Sequence, residues 1–600
     1  MTDAATISAI VAEHASGRPD AVAIATIDGM TLTWRQLGSL VAAAAQDWRT
    51  LGIGPTDIVA TSTSTVVPAT PAVFLCVAAA SGCIPLNSGY RLRECIEHLK
   101  GARTRALVVF GAEDTDAVEA ARSLGLRIIR LSPGAIMSGR WVVQVEQADG
   151  RERQPAEPPR SPTADDVALI LHTSGTTAAP KVVPLTQGNL VASARQIAAT
   201  LQLTPDDRCL NLMPLFHIHG LVGALLSSVA SGATFVTTPA LEPAAFGRWL
   251  VESEATWYTA VPTMHQVVAA AMRGAPIPKP SKLRFARSSS SPLAPALAAE
   301  LEALFGVPVL QAYGMTEASH QIACNPLPPG RTKPGSVGLP TGTEIRIIGE
   351  AGRALPRGQR GEVCIAGRGV FGGYADNPEA NRTSFIDGLF RTGDEGYLDD
   401  DGYLFLTGRL KEMINRGGEK IAPAEIDLVL LGHPAVAQAV CFAVPHPTLG
   451  EDIAAAVVAK PGAELDPAAL QDFVANHAAP HKIPQNIYVM AALPKGPTGK
   501  VVRREVAAQL AGAGCGQPNP AISAKPAVAG NREDQLRRLW CEELDLDTVS
   551  PDDDYFRLGG DSLRALTIIT KAKAIGVELT MMDLMRHRSI RRICAAKAAA

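Results

Sequence analysis

Short β-branched and apolar runs such as ALVVF, VALIL and ATFVTT alternate along the first half of the chain with longer stretches of helical periodicity. That alternation predicts layered α/β structure with parallel strands. The most apolar stretch, STVVPATPAVFLCVAAASGCIPL, is broken by three prolines. It reads as a buried helix running into a strand, not as a membrane span. From about residue 340 the texture changes. TEIRIIGEAGRALPRGQRGEVCIAG has short strands and Gly-rich turns and predicts a small β-rich section, and around 409–510 a compact α+β pattern follows with VAQAVCFAVPH and IAAAVVAK as strands. AGAGCGQPNPAISAKPAVAGN has no periodicity and almost no charge, and reads as a linker. After it REDQLRRLWCEELDLD returns to an amphipathic helix with Leu536, Leu539 and Trp540 on one side, so the last seventy residues read as a separate small helical domain.

Composition narrows the class. At 600 residues the chain exceeds one ordinary domain, and 46% hydrophobic with 19% charged residues suits several globular cores. A net charge of −3 without a long basic run gives no reason to expect nucleic acid. The ten cysteines are scattered, with no C-x-x-C pair, which fits reduced, buried thiols. MTDAATISAIVAEHASGRPDAV has early acids and no continuous apolar core, so no signal peptide is expected, and the reading is a cytoplasmic protein without a membrane partner.

The richest local stretch is DVALILHTSGTTAAPKVVPLT. An apolar strand, Val167 to Leu171, runs into Thr173, Ser174, Gly175, Thr176 and Thr177, and Lys181 follows. Small hydroxyl residues and glycine let backbone amides approach phosphate oxygens, each hydroxyl adding a donor; an ordinary Ser/Thr-rich turn would look the same locally. It is not a Walker A loop, because Pro180 and Val182 stand where that motif needs glycine and Ser/Thr.

TSGTTAAPKVVPLT resembles the phosphate loop of the adenylate-forming superfamily (acyl-CoA synthetases, luciferases and peptide-synthetase adenylation domains), with Ala178 and Val182 in place of two glycines. MPLFHIHG (213–220), QAYGMTEASH (311–320), LFRTGDEGYLDDDG, YLFLTGRLKEMINRGGEKIAPAEID (403–427) and LPKGPTGKVVRRE (493–505) resemble its further motifs, in order, so the match covers roughly residues 5–510. The resemblance implies a large N-terminal adenylation part over 1–408, of layered α/β subdomains with a small β-barrel, then a mobile α+β lid over 409–511. It also implies a reaction in which ATP and Mg2+ activate a carboxylate as its adenylate, with release of pyrophosphate, before the acyl group passes to a thiol.

Roles follow by the same resemblance. Glu317 matches the carboxylate that holds Mg2+, and Thr316 the hydroxyl at the α-phosphate. Asp394 matches the ribose acceptor, with Arg409 beside it; an ionised carboxylate accepts from two hydroxyls. Adenine is expected near Tyr313 and Gly314, against the backbone of SSSSP that includes Ser290. Lys181 and Lys500 are the expected catalytic cations, Lys500 swinging in and then withdrawing. Lys411 matches the hinge, and Gly417 and Gly418 the surface presented for thiolation.

His217 stands where adenylation domains for α-amino acids place an aspartate, and NLMPLFHIHGLVGALLSS holds no acid, so a carboxylic acid without an α-ammonium is expected. PLFHIHG, ATWYTAVPTMHQ, LRFARSSSSPLAP, AYGMTEASH and INRGGEKI are similar to the oxalate–CoA ligase branch. That similarity implies an acid pocket lined by His217, Ser289 and His320, for oxalate or another small acid, with short or medium acyl acids as the alternative.

The tail motif, DDDYFRLGGDSLRAL, places Ser562 before an apolar helix, where a hydroxyl is a good N-cap. It also resembles the phosphopantetheine site of acyl and peptidyl carrier domains. The resemblance implies a linker over 512–530, an all-helical carrier bundle over 531–600, and 4′-phosphopantetheine on Ser562, placed there by a phosphopantetheinyl transferase. Residues 531–561 carry ten acids against four Lys/Arg and 562–600 two against eight, and an acidic flank can orient a partner. The acyl group is expected to load onto this carrier and leave it through a further enzyme in trans. A ligase using free CoA and a non-catalytic scaffold are the alternatives.

Overall fold

The computed structural model describes residues 5–63, 69–111, 114–146, 160–173, 181–239, 241–273, 281–446, 449–496, 501–511, 532–544, 546–555, 558, 562–574, 577, 579–580, 583–584 and 587–598. The chain divides into two units, Met1–Lys411 with Lys495–Lys500, and Glu412–Pro494 with Val501–Ala600.

In the first unit the β-branched runs form parallel strands of two sheets. Val22–Thr26, Arg208–Asn211, Thr234–Thr237, Trp257–Ala260, Phe285–Ser288 and Val309–Met315 lie parallel in a nine-stranded sheet, edged antiparallel by Thr31–Thr33 on one side and by His320–Cys324 and Leu339–Pro340 on the other. Ile58–Ser62, Gly82–Leu86, Ala106–Phe110, Arg127–Leu131 and Val167–Thr173 lie parallel in a seven-stranded sheet, with Val143–Glu146 and Lys181–Thr186 as antiparallel edges. The α/β reading of the sequence is therefore the observed class.

Amphipathic helices cover these sheets. Trp34–Thr50 begins at Thr33, whose hydroxyl accepts from the Gln36 amide while Gln36 Oε1 accepts from the Thr33 amide, so both ends of the capping box are closed. Its Trp34, Leu37, Leu40, Val41, Ala44 and Trp48 are buried on one stripe. Thr70–Ala78, the helix expected from the apolar stretch, is buried at every position and runs on to the strand Gly82–Leu86. Pro71 sits in its first turn, where a missing amide costs nothing. No helix among the described residues is long and apolar enough to cross a membrane.

The β-rich section is an antiparallel sheet of Glu344–Ile348, Gly361–Ala366, Phe385–Ile386, Leu389–Leu398 and Leu404–Arg409. No ladder joins its first strand to its last among the described residues. It shares one apolar core with the two large sheets, through Ile347, Val363, Phe390 and Leu404.

In the second unit, Ile414–Arg416, Glu419–Ile421, Val436–His446, Gly450–Ala459 and Asn486–Val489 make a five-stranded sheet with the helices Pro423–Leu431, Pro467–His477 and Arg503–Ala511. Arg503 is held in it by Asp427 at 2.8 Å. The proposed linker 512–530 lies outside the described residues. Beyond it the described elements are helices, Arg532–Leu544, Ser562–Ala574 and Ile590–Ala598, gathered round Leu536, Trp540, Tyr555, Ile568 and Ile590. Trp540 is fully buried with its ring edge-on to Tyr555 at 5.1 Å.

The nine described cysteines are free thiols and seven of them are buried.

A small helical domain has little stability to spare, and removing a core tryptophan costs about 3–5 kcal/mol. Trp540→Ala in the full chain should therefore make 532–598 sensitive to limited proteolysis while the fragment ending near residue 511 persists, as read by mass spectrometry of the digest.

Candidate active site

Parallel strands deliver their carboxyl ends to one edge, where ligands of open α/β sheets bind. Here the ends of Arg208–Asn211, Trp257–Ala260, Phe285–Ser288 and Val309–Met315 lie side by side. The last turns through Thr316–Ala318 into His320–Cys324, with Met315 opposite His320 and Gly314 opposite Gln321. A Cβ on Gly314 would lie 1.7 Å from the His320 carbonyl oxygen, so only glycine permits this crossing.

The hairpin carries one half of the site on its first strand and turn. The Tyr313 hydroxyl donates to Asp394 Oδ2, and Arg409 Nε donates to Asp394 Oδ1 at 2.8 Å. Asp394 is thus fixed at both oxygens, each of which keeps a lone pair for a ligand hydroxyl. Glu317 is 6% exposed, and burial raises its carboxyl above the usual range, with Tyr374, Arg409 and Lys181 acting the other way. The Tyr374 hydroxyl donates to Glu317 Oε1 at 2.9 Å, and Lys181 Nζ stands 4.4 Å from the centre of the Tyr374 ring. Tyr374 therefore ties the expected metal ligand to the expected phosphate-binding lysine; it lies in GGYADNPE, where nothing in the spacing sets it apart. Thr316 and Gly314 are half-buried in the same hairpin, and Thr173 is half-buried at the end of its strand. Ser174, Gly175, Thr176, Thr177 and Lys500 lie outside the described residues.

A magnesium ion fits Glu317 by its donor chemistry. Mg2+ takes oxygen ligands, keeps several waters and is held by one or two carboxylates with nucleotide phosphates. No group of three or more His, Cys, Asp or Glu is placed to hold a metal ion among the described residues.

The other half of the site is a cluster of imidazoles. His219 opens a π-helical segment, His219–Leu226, and is wholly buried. Its Nε2 lies 2.6 Å from Thr259 Oγ1 and its Nδ1 3.1 Å from Ser290 Oγ. The His320 ring stacks on it at 4.9 Å. His217 is half-buried and accepts from the His219 amide at Nδ1, which leaves its ring proton on Nε2. Arg287, fully buried, reaches both His219 and His320. Ser289 is buried, and its hydroxyl donates to the Ala312 carbonyl at 3.2 Å, so as a ligand group it offers acceptor lone pairs. Ser290, Ser319 and His320 have φ of 74°, 50° and 102°, a region costly by about 1–3 kcal/mol for a residue with a side chain. A Cβ on Gly223 would lie 2.6 Å from His320 Nε2, so the π-helical segment leaves room for that ring only at glycine.

His219 and Arg287 stood inside motifs quoted from the sequence, yet only the fold shows them meeting. Lys411 is exposed at the end of the first unit, and Gly417 and Gly418 are exposed in the second. Ser562 is the first residue of the thirteen-residue helix Ser562–Ala574.

The family model described as AMP-binding enzyme matches residues 11–375, that for the AMP-binding enzyme C-terminal domain matches 425–500, and that for the phosphopantetheine attachment site matches 534–596. The chain is 41% identical over 511 residues to the oxalate–CoA ligase of Arabidopsis thaliana, covering 84% of this chain and 98% of that protein. It is 41% identical over 450 residues to the oxalate–CoA ligase of Saccharomyces cerevisiae, covering 71% and 82%. Among solved structures it is similar to ATP-bound MatB from Rhodopseudomonas palustris, with a TM-score of 0.74 at 28% identity, covering 84% of this chain and 98% of that one.

Burial sets the pH response. It holds the His219 ring well below its usual range, since a proton there would also be repelled by Arg287 and by any proton gained on His320; it moves His265 to about 4, and His172 to about 4 with repulsion from His98 adding. Each ring is neutral in the fold and gains a proton on unfolding, so this stability is complete above about pH 6.5 and is lost as pH falls from 6.5 toward 4. One ring shifted to about 4 removes on the order of 2 kcal/mol by pH 5. Calorimetry should show Tm falling between pH 7 and pH 5, and His172→Gln should blunt that fall. Separately, Gly223→Ala should raise KM for the acid about tenfold by displacing His320, with KM for ATP within about twofold of wild type in pyrophosphate exchange.

Proposed function

The chain belongs to the AMP-binding enzyme family, and from that premise we propose that it adenylates oxalate or an acid of similar size and polarity and passes the acyl group to the phosphopantetheine on its own Ser562. It is an ATP-dependent acid–thiol ligase that carries a phosphopantetheine attachment domain, with ATP, Mg2+ and a pantetheine thiol as its cofactors.

The observation that carries the choice of acid is the cluster of His217, His219 and His320 with the buried Arg287, a cation that no carboxylate pairs with among the described residues. A fixed cation there suits a small acid with a second anionic group better than one with an α-ammonium. The oxalate–CoA ligases among its relatives fit the same reading.

In the first step an acid carboxylate oxygen bonds to the α-phosphorus of ATP and the bond to pyrophosphate breaks. Thr316 and Lys181 hold phosphate oxygens, Asp394 with Arg409 and Tyr313 hold the ribose, and Lys500 neutralises charge at the acyl phosphate. Glu317 holds Mg2+, which when bound offsets the charge of the phosphates. In the second step the thiolate attacks the acyl carbon and AMP leaves. Rotation about Lys411 would present Gly417 and Gly418 in place of Lys500.

The carrier as acceptor is supported by the attachment-site match at 534–596, together with relatives that 84% of this chain covers almost completely. On this reading a phosphopantetheinyl transferase installs the arm and a further enzyme collects the product. Free CoA is a second acceptor on the strength of relatives named as CoA ligases.

Pyrophosphate exchange over an acid panel, followed by intact-mass analysis of the phosphopantetheinylated chain, tests this. Oxalate should support exchange and add an oxalyl mass at Ser562, and Ser562→Ala should keep exchange and lose loading. Lys500→Ala should lower adenylation about a hundredfold while sparing transfer from preformed adenylate. Acyl-CoA accumulating over an unloaded carrier would sink the self-loading proposal.

A further inference from the structure

Arg287 is a fully buried cation whose hydrogen-bond partners are all neutral. Nη1 donates to Thr259 Oγ1 and to His219 Nε2, both at 3.3 Å, and Nη2 to His320 Nε2 at 3.1 Å and to Gln321 Oε1 at 2.8 Å. Nε meets no acceptor. No carboxylate pairs with it among the described residues; the titratable groups nearest in effect are the thiols of Cys324 and Cys209. Burial pushes Cys324 up to about 11 and Cys209 higher still, so neither is a thiolate at neutral pH. Burying a charge without a counter-ion is costly, and the cost is offset when a bound anion supplies the opposite charge.

The guanidinium also decides where protons sit. It can only donate, so the Nε2 atoms of His219 and His320 are acceptors and both rings carry their proton on Nδ1. His219 Nδ1–H then donates to Ser290 Oγ, whose own proton remains for another acceptor. Lysine has no planar fork and could not hold two rings and an amide at once.

We propose that Arg287 is the specificity-determining positioning residue of the acid pocket, fixing His219 and His320 as neutral Nδ1–H donors and supplying the uncompensated positive charge that selects acids with a second anionic group. This rests on the adenylation reading of the site. It differs from a bracing role, because it ties the charge of Arg287 to the acid's second charge and to nothing at the nucleotide end.

Gln321→Glu tests it with the arginine left in place, since a carboxylate at Oε1 would give Arg287 an internal counter-ion. Arg287→Met removes the charge at similar length. The probes are oxalate and glyoxylate, which share a two-carbon skeleton and differ by one charge. In the full chain, wild type should prefer oxalate in pyrophosphate exchange. The ratio of kcat/KM for oxalate to that for glyoxylate should fall about tenfold or more in both variants, with KM for ATP within about twofold. Should Arg287→Met not fold, Gln321→Glu decides alone. An unchanged ratio there, or a parallel loss for both acids, overturns the proposal.

A binding readout separates this outcome from failure of the adenylation reading. Oxalate should raise the Tm of wild type more than glyoxylate does, and that difference should vanish in Gln321→Glu, whether or not any acid supports exchange. Equal shifts for the two acids in wild type overturn the role assigned to Arg287.

Discussion

The site depends on one backbone crossing. Gly314 passes so close to the His320 carbonyl that no side chain fits between them, and that contact closes the hairpin of Val309–Met315 and His320–Cys324. Tyr313 stands on its outgoing strand, Glu317 in its turn and His320 and Gln321 on its return, so a single hairpin sets the spacing between the half proposed for the nucleotide and the half proposed for the acid. The parallel strands beside it supply the rest: Thr259 pairs across from Arg287, and Ser288 from Gln311. Because parallel strands all end at one edge, the polar groups arrive together without any long-range loop having to carry them.

That arrangement stores cost in several forms. Three residues with side chains sit at positive φ, a buried arginine lacks a counter-charge, and the Ser288 and Ser319 hydroxyls are buried without partners. Such costs cluster where a ligand, not the protein, completes the bonding. His219 does not add to that charge, since burial keeps its ring neutral.

The fold was largely legible because its signal is periodic. ALVVF, VALIL and VAQAVCFAVPH read as strands from their short apolar and β-branched runs, and each is a strand, Ala106–Phe110, Val167–Thr173 and Val436–His446. Asp394 with Arg409, and Glu317 with Lys181, were expected on motif grounds, and in each pair the fold shows a physical link, direct in the first and through Tyr374 in the second. Arg287 and Tyr374 were not singled out, for a physical reason. Their meaning lies in partners 28 to 57 positions or more away, and no local period encodes a contact that strand order creates. Ser289 illustrates the converse. Its type and place suggested a donor to the acid, whereas burial against Ala312 commits its proton to the backbone.

The helix Thr70–Ala78 has a consequence for synthesis. It offers water no polar face, and the apolar cluster that encloses it extends to Leu404. A ribosome adding about 5–20 residues per second needs some tens of seconds to make that stretch. Throughout that interval Val73, Phe74 and Leu75 belong to a nascent chain that still lacks part of the cluster enclosing them. The enzyme's most hydrophobic segment is thus its earliest hazard, and its yield in a cell depends on what shields those nine residues before the last strand is made.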